Sequence, residues 1–188
     1  MGGRVELVAR LGRKRFGMIY GIVALLALAG LIGAAGRAPY IQLWPQLPWM
    51  RWVAVGAMLL ACLMIALAAG RANPFSFGGG DDARFDPARP GLVRWMRHPL
   101  LWALALWAFV HTLVNGDLAH VLVFGSFAVF AVLGQRLVDR RKRREMGADW
   151  AARWNEVRLG PAIVLIAPGE ELRRGADGVA LFAVHVWA

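Results

Sequence analysis

The chain has 188 residues, of which 59% are hydrophobic, and its formal net charge is +10. This composition is too apolar for an ordinary soluble domain and places the chain in the membrane class. The basic residues lie in loops between apolar runs, which favours contact with anionic lipid headgroups over binding of nucleic acid. A single cysteine, Cys62, excludes a disulfide within the chain and is expected to serve packing.

Four apolar segments approach the length of about 20 residues that crosses a bilayer. The first is longer than the apolar part of a signal peptide, so we interpret it as a retained signal-anchor helix. Helices are expected because a lone segment in lipid must satisfy its own backbone. The sequence therefore predicts an all-α, polytopic bundle forming one membrane domain over residues 1–188, with spans at about 16–36, 50–70, 97–114 and 118–138.

The third apolar run is short, and we expect its helix to extend back into Arg94–His98. Lysine and arginine then give the orientation of the bundle. Alternate loops hold eighteen and two of these residues. The positive-inside rule therefore places the N-terminus, the 71–97 loop and residues 136–160 in the cytoplasm.

Three further segments flank the predicted spans. Residues 71–93 are rich in Gly, Pro and Asp and are typical of a mobile loop. Residues 139–158 form an amphipathic pattern, and we expect their apolar stripe to lie on the inner membrane surface. That stripe contains Met146, Trp150, Trp154 and Val157. Residues 178–188 form a short C-terminal apolar segment, either a truncated helix or a re-entrant piece.

Arg94, Arg97 and His98 precede Pro99, which is expected to start the third helix. Free N–H groups at a helix start favour anions, and the two arginines strengthen the positive potential. The positive helix end would also keep His98 neutral, as a metal ligand or hydrogen-bond acceptor must be. The alternative interpretation is a basic flank that only sets topology.

Near the other end of the third helix lie His111, Asn115 and Asp117, with His120 just beyond the turn. Polar groups at membrane depth are costly and therefore candidates for function. His98 and His111 are about 20 Å apart along a helix, so both cannot ligate one cofactor from it. The alternative is that Asn115-Gly116-Asp117 merely forms a turn. The aromatic repeat Phe124, Phe127 and Phe130 indicates packing or lipid contact, or else a pocket for a flat cofactor.

The sequence contains no Walker A, GxGxxG, GxSxG or HExxH motif, so a soluble-type nucleotide or hydrolase site is not supported. Residues 94–144, RWMRHPLLWALALWAFVHTLVNGDLAHVLVFGSFAVFAVLGQRLVDRRKRR, closely resemble the NnrU family of bacterial inner-membrane proteins. The upstream LVARLGRKRFGMIYGIVAL is also similar to that family. The RHP, HxLxNGD and DRR elements together make the resemblance specific, and it covers most of residues 5–160.

The resemblance implies a link to denitrification, in particular to nitrite and nitric oxide reduction. The family is similar to the plastid zeta-carotene isomerase, which holds a haem b through histidine. Haem b is therefore the implied cofactor, with His98 or His111 as the ligand and Arg94, Arg97, Asn115 and Asp117 around it. Membrane lipids and denitrification proteins are the implied partners.

A wider group includes the membrane methyltransferases of phospholipids and isoprenylcysteine, which share the RHP element and use S-adenosylmethionine. Those enzymes need a paired Glu-Glu after their last helix, whereas this chain has Val138-Asp139. Members of the NnrU family usually begin with an extra helix carrying a His-Ser-x-x-Arg type motif, a further candidate ligand. This sequence starts just after the position of that helix, so that candidate ligand is missing from it. Three functions stay open: a haem- or lipid-binding protein, a methyltransferase-like enzyme, and a non-catalytic assembly partner.

Overall fold

A computed structural model describes residues 9–77, 82–159 and Asp177, without the side chain of Arg13. The described part of the chain is all-α and contains no strand, which confirms the predicted class. Two short 3-10 turns, Asp82–Arg84 and Gly91–Arg94, lie between the second and third helices. Five helices are defined within these described residues: α1 (Arg13–Arg37), α2 (Pro48–Ala68), α3 (Pro99–Asn115), α4 (Leu118–Met146) and α5 (Ala148–Leu159).

The helix lengths are those of a multi-pass membrane protein. Helices α1, α2 and α4 are each long and apolar enough to cross a bilayer, and α3 is a shorter apolar helix. Helix α3 begins at Pro99, so the expected extension into Arg94–His98 is wrong. The physical reason is Pro99 itself, which disfavours helical geometry in the residue before it and leaves His98 at φ −121° and ψ 63°.

The chain divides into two compact units, residues 1–41 and residues 42–188. Helix α1 forms most of the first unit. In the second unit α3 packs against both α2 and α4. Small residues at these contacts, among them Ala61, Ala103 and Ala131, are almost fully buried and let the helix backbones approach closely.

Helix α4 continues without a break to Met146, so the predicted interfacial segment 139–158 is divided at Gly147. The apolar stripe of α5 packs against other parts of the chain. Trp150 and Val157 are buried in a small core with Phe75 and Val93. The expectation that this stripe contacts the membrane is therefore wrong, because the chain supplies its own apolar cover from the loop after α2.

That loop corrects a second expectation. Asn73, Phe75 and Ser76, which lie in the stretch predicted to be mobile, are each at most 6% exposed. Phe75 makes edge-to-face contacts with Trp150 and Trp154 at ring-centroid distances of 6.1 and 5.4 Å. The predicted C-terminal apolar segment, residues 178–188, lies outside the described residues.

The segment before α2 closes the tight turn between α3 and α4. The backbone N–H groups of Leu43 and Trp44 donate to the Gly116 carbonyl, at 2.8 and 3.2 Å. The Trp44 indole donates to Leu113 O at 2.8 Å, and the Gln46 amide donates to Asn115 O at 3.0 Å. Two of the last carbonyls of α3, those of Leu113 and Asn115, thereby gain partners that their own helix does not supply.

Candidate functional site

A group of hydrogen-bonded polar side chains lies at the start of α3, the end that is predicted to face the cytoplasm. We call it the His98 cluster (Asn73, Ser76, Arg97, His98 and Asp139). His98 is 2% exposed, and both of its ring nitrogens lie at hydrogen-bond distance from side chains. Its Nδ1 is 3.0 Å from Ser76 Oγ, and its Nε2 is 3.0 Å from Asp139 Oδ1. Three separate parts of the chain therefore meet at one imidazole.

The hydrogen-bond partners of His98 and its burial together determine its protonation state. A carboxylate can only accept, so Nε2–H of His98 donates to Asp139, and the Ser76 hydroxyl donates to Nδ1. Burial lowers the pKa of His98, and the neighbouring Arg97 acts in the same direction, while Asp139 opposes them. His98 is therefore neutral near pH 7, as the sequence predicted, although burial is the principal cause.

Arg97 completes the electrostatics of the cluster. Its Nε and Nη2 donate to the two oxygens of Asp139 at 3.2 and 2.7 Å. The guanidinium also lies 5.5 Å from the ring centre of Trp150 and 4.8 Å from that of Trp154. Bidentate pairing and stacking on aromatic faces are what arginine does better than lysine.

Two further hydrogen bonds tie the cluster to the backbone. The Asn73 amide donates to Arg97 O at 2.9 Å, and Asn73 Oδ1 accepts from Phe75 N at 3.1 Å. Arg94 Nη1 donates to Val157 O near the end of α5, at 2.9 Å. The positive charge of Arg94 thus lies at the negative end of a helix, a favourable position.

The hydrogen bonds of the His98 cluster connect separate elements of the fold. Ser76, His98 and Asp139 form a chain of the residue types used in nucleophilic catalysis. However, Ser76 is 5% exposed, and the Asp139 carboxylate is shared with Arg97. The anion expected at the start of α3 is supplied by the chain's own carboxylate, which leaves the cluster neutralised and fixes the loop, α3 and α4 together.

The other end of α3 carries the His111 cluster (Trp107, His111, Asp117, His120 and Phe124). His111 Nδ1 donates to Trp107 O at 2.8 Å, which sets the tautomer that carries its lone pair on Nε2. The His111 ring lies 4.9 Å from both Trp107 and Phe124, measured between ring centres. The cluster is therefore largely aromatic, and its histidine is oriented by the helix that carries it.

His120 is oriented in a similar way by a carboxylate. Its Nδ1 lies 2.6 Å from Asp117 Oδ2, and its ring stacks on Phe124 at 5.9 Å. Asp117 is 4% exposed and also caps α4 by accepting from the His120 backbone N–H at 3.2 Å. A carboxylate that holds Nδ1 of a histidine is a common arrangement behind metal-binding imidazoles.

The structure brings the predicted site residues together in two places, one at each end of α3. Arg97 and His98 meet at Asp139, whereas Asn115 donates to the His111 carbonyl at 2.7 Å. Phe124 and Phe127 pack on Trp107, whereas Phe130 is 63% exposed. These contacts fit both the packing and the pocket interpretations of that repeat. Sequence reasoning missed the roles of Asn73, Ser76 and Asp139. One signal was available for Asp139, the single acid at the start of a strongly basic run.

No group of three or more metal-ligating side chains lies together within the described ranges. The fold and the site define a polytopic helical membrane protein. It contains the buried, polar His98 cluster and the largely aromatic His111 cluster. A family model described as NnrU protein matches residues 2–188, so the chain belongs to the NnrU family. No curated protein and no solved structure matches the chain significantly.

Proposed function

We propose that this NnrU-type protein binds haem b in the bacterial inner membrane, with His111 as the iron ligand, and serves nitrite or nitric oxide reduction in denitrification. The observation that carries the proposal is the hydrogen bond from His111 Nδ1 to Trp107 O. It fixes the tautomer in which Nε2 can coordinate iron, and such a bond is the usual support of a ligating histidine.

The surroundings of His111 support a flat, apolar group. Trp107 and Phe124 contact the imidazole from two helices, and Phe127 adjoins Trp107. Haem would supply an iron centre able to exchange electrons or bind a small diatomic molecule. The chain's own residues would orient the ligand, shield the group from water and hold it at one end of α3.

His98 fits an iron ligand less well than His111 does. Both His98 nitrogens are engaged, and the side chain is only 2% exposed. Coordination at His98 would require breaking the bond to Asp139 or the bond to Ser76. The proposal therefore assigns the ligand to His111 and a structural role to His98.

The proposed orientation follows from the distribution of lysine and arginine, with the N-terminus and the His98 cluster toward the cytoplasm. The His111 cluster then lies toward the outer face of the membrane. A reporter fused after Asp117 tests this orientation. Activity of a reporter that works only outside the cytoplasm is the expected result, and activity of a cytoplasmic reporter contradicts it.

The ligand assignment is tested by the visible spectrum of the protein purified from haem-replete cells. We expect a Soret band in the unaltered protein, its loss in His111→Ala and its retention in His120→Ala. Haem per polypeptide, measured after extraction, checks the band intensity. No Soret band in the unaltered protein, or an unchanged band in His111→Ala, overturns the proposal.

One observation favours a second candidate, a non-catalytic assembly partner of respiratory enzymes. Arg97, His98 and Asp139 satisfy one another, so the conspicuous polar group of the chain is already neutralised. The same observation counts against the methyltransferase alternative, because no charge there is left for a cofactor carboxylate. Intact denitrification in cells carrying His98→Ala and, separately, His111→Ala would favour the assembly role.

A further inference from the structure

One exposed face of α4 changes from apolar to basic toward the C-terminal end of the helix. Phe130, Leu133 and Leu137 are 63%, 49% and 60% exposed, and Arg140 and Arg144 are also exposed. The five positions follow one another at steps of three, four, three and four, so they lie on a single face of the helix. The face is about 21 Å long, of which the apolar part covers about 10 Å.

The basic end of this face carries a shallow, open depression. Leu137, Arg140, Arg143 and Arg144 line it, and its volume is about 490 Å³. Arg143 lies over Trp150, 4.2 Å from the ring centre, and is thereby held at the edge of the depression. Three arginine side chains thus border one open depression next to an exposed leucine.

The remaining basic residues of the run have partners of their own. Arg141 pairs with Glu145 at 2.6 Å, and Lys142 lies 3.5 Å from Asp82. Arg140 and Arg144 contact no acidic side chain in the part of the chain that the structure describes. Their charge is therefore available to an anion outside the protein.

We propose that this face is a binding site for one anionic phospholipid, with the phosphate held by Arg140, Arg143 and Arg144 and an acyl chain lying along Leu137, Leu133 and Phe130. Charge complementarity selects the headgroup, because guanidinium groups bind phosphate oxygens in a bidentate manner. The change from apolar to basic along one helix face selects a lipid over a soluble anion. The position at the end of a membrane-crossing helix places the site at headgroup level.

The test uses native mass spectrometry of the purified full chain released from mixed micelles containing equal amounts of phosphatidylglycerol and phosphatidylcholine. The unaltered protein is expected to retain phosphatidylglycerol in preference to phosphatidylcholine. In the double variant Arg140→Gln/Arg144→Gln this preference should fall about 25-fold, since each basic side chain at an anionic surface contributes roughly fivefold. Phosphatidylcholine adducts in the same spectrum report whether the variant keeps an intact membrane domain.

The matched control is Arg153→Gln/Arg158→Gln, which removes the same two charges from exposed positions on α5. We expect it to keep the preference of the unaltered protein. Equal retention of the two lipids by the unaltered protein overturns the proposal. An equal loss of preference in the control also overturns it, because general surface charge would then account for the binding.

Discussion

Polar side chains lie at both ends of α3, near the predicted edges of the membrane. The two ends accommodate them in different ways. At the His98 end, side chains from separate elements neutralise one another, as the Arg97–Asp139 distance of 2.7 Å shows. At the His111 end, the imidazole is held by a carbonyl of its own helix, and aromatic rings surround it. A buried histidine whose two ring nitrogens both contact side chains thus connects elements of the fold, whereas the Nδ1 bond of His111 fixes one tautomer within its own helix.

The largest expected effect comes from Asp139→Asn. The variant removes the charge that Arg97 and His98 share, and removing one partner of a fully buried pair costs roughly 3–5 kcal/mol. Because the Arg97 side chain keeps 28% exposure, we expect a loss of about 2–3 kcal/mol here. Thermal unfolding in detergent micelles measures it. Glu156→Gln, an exposed change of equal charge, is the control, and equal melting temperatures for the two variants contradict the structural role of the His98 cluster.

A smaller effect is expected from Gly116→Ala at the other end of α3. Gly116 has φ +65°, and a Cβ there would lie 2.7 Å from the Trp44 carbonyl oxygen. Left-handed geometry costs a non-glycine residue about 1–2 kcal/mol, and the contact adds to it, so we expect a loss of about 2 kcal/mol. Gly125→Ala, at an ordinary helical position of α4 with open space around it, is the control. Equal melting temperatures for Gly116→Ala and Gly125→Ala would contradict the cost expected at Gly116.

The dependence of the free energy of unfolding on pH tests the His98 end of α3. The pKa of His98 is lowered by burial, so in the unfolded chain this residue takes up a proton below a pH of about 6.5 that the folded chain does not accept. The free energy of unfolding should therefore fall as the pH is lowered from 7 to about 5. His98→Gln should remove part of this dependence. Parallel curves for the two proteins in denaturation series across this pH range would show that His98 makes no contribution.

The smallest effect is expected from Trp44→Phe. The variant keeps an aromatic ring but loses the indole donor to Leu113 O, a bond of 2.8 Å. One hydrogen bond of this kind contributes about 1 kcal/mol. Trp52→Phe, at a side chain that is 67% exposed, is the matched control. If both variants melt at the temperature of the unaltered protein, the α3–α4 turn does not depend on its indole cap.

Helix positions were predictable because apolar length and Pro99 act locally. The sequence also indicated Arg97 and His98, since two arginines and a histidine before a helix start are unusual. Asn73 and Ser76 were not predictable: they lie in a stretch whose composition is typical of a loop, and only tertiary packing of Phe75 buries them. The stripe on α5 was recognised, but periodicity gives the face of a helix and not what covers it.

The central claim is that His98 holds the fold and His111 does not. The most direct test is the melting temperature of His98→Ala beside that of His111→Ala, both prepared from haem-depleted cells and measured in the same micelles. We expect a clear decrease for His98→Ala, because Asp139 and Ser76 lose their common partner, and a distinctly smaller decrease for His111→Ala. An equal or larger decrease for His111→Ala would contradict the claim.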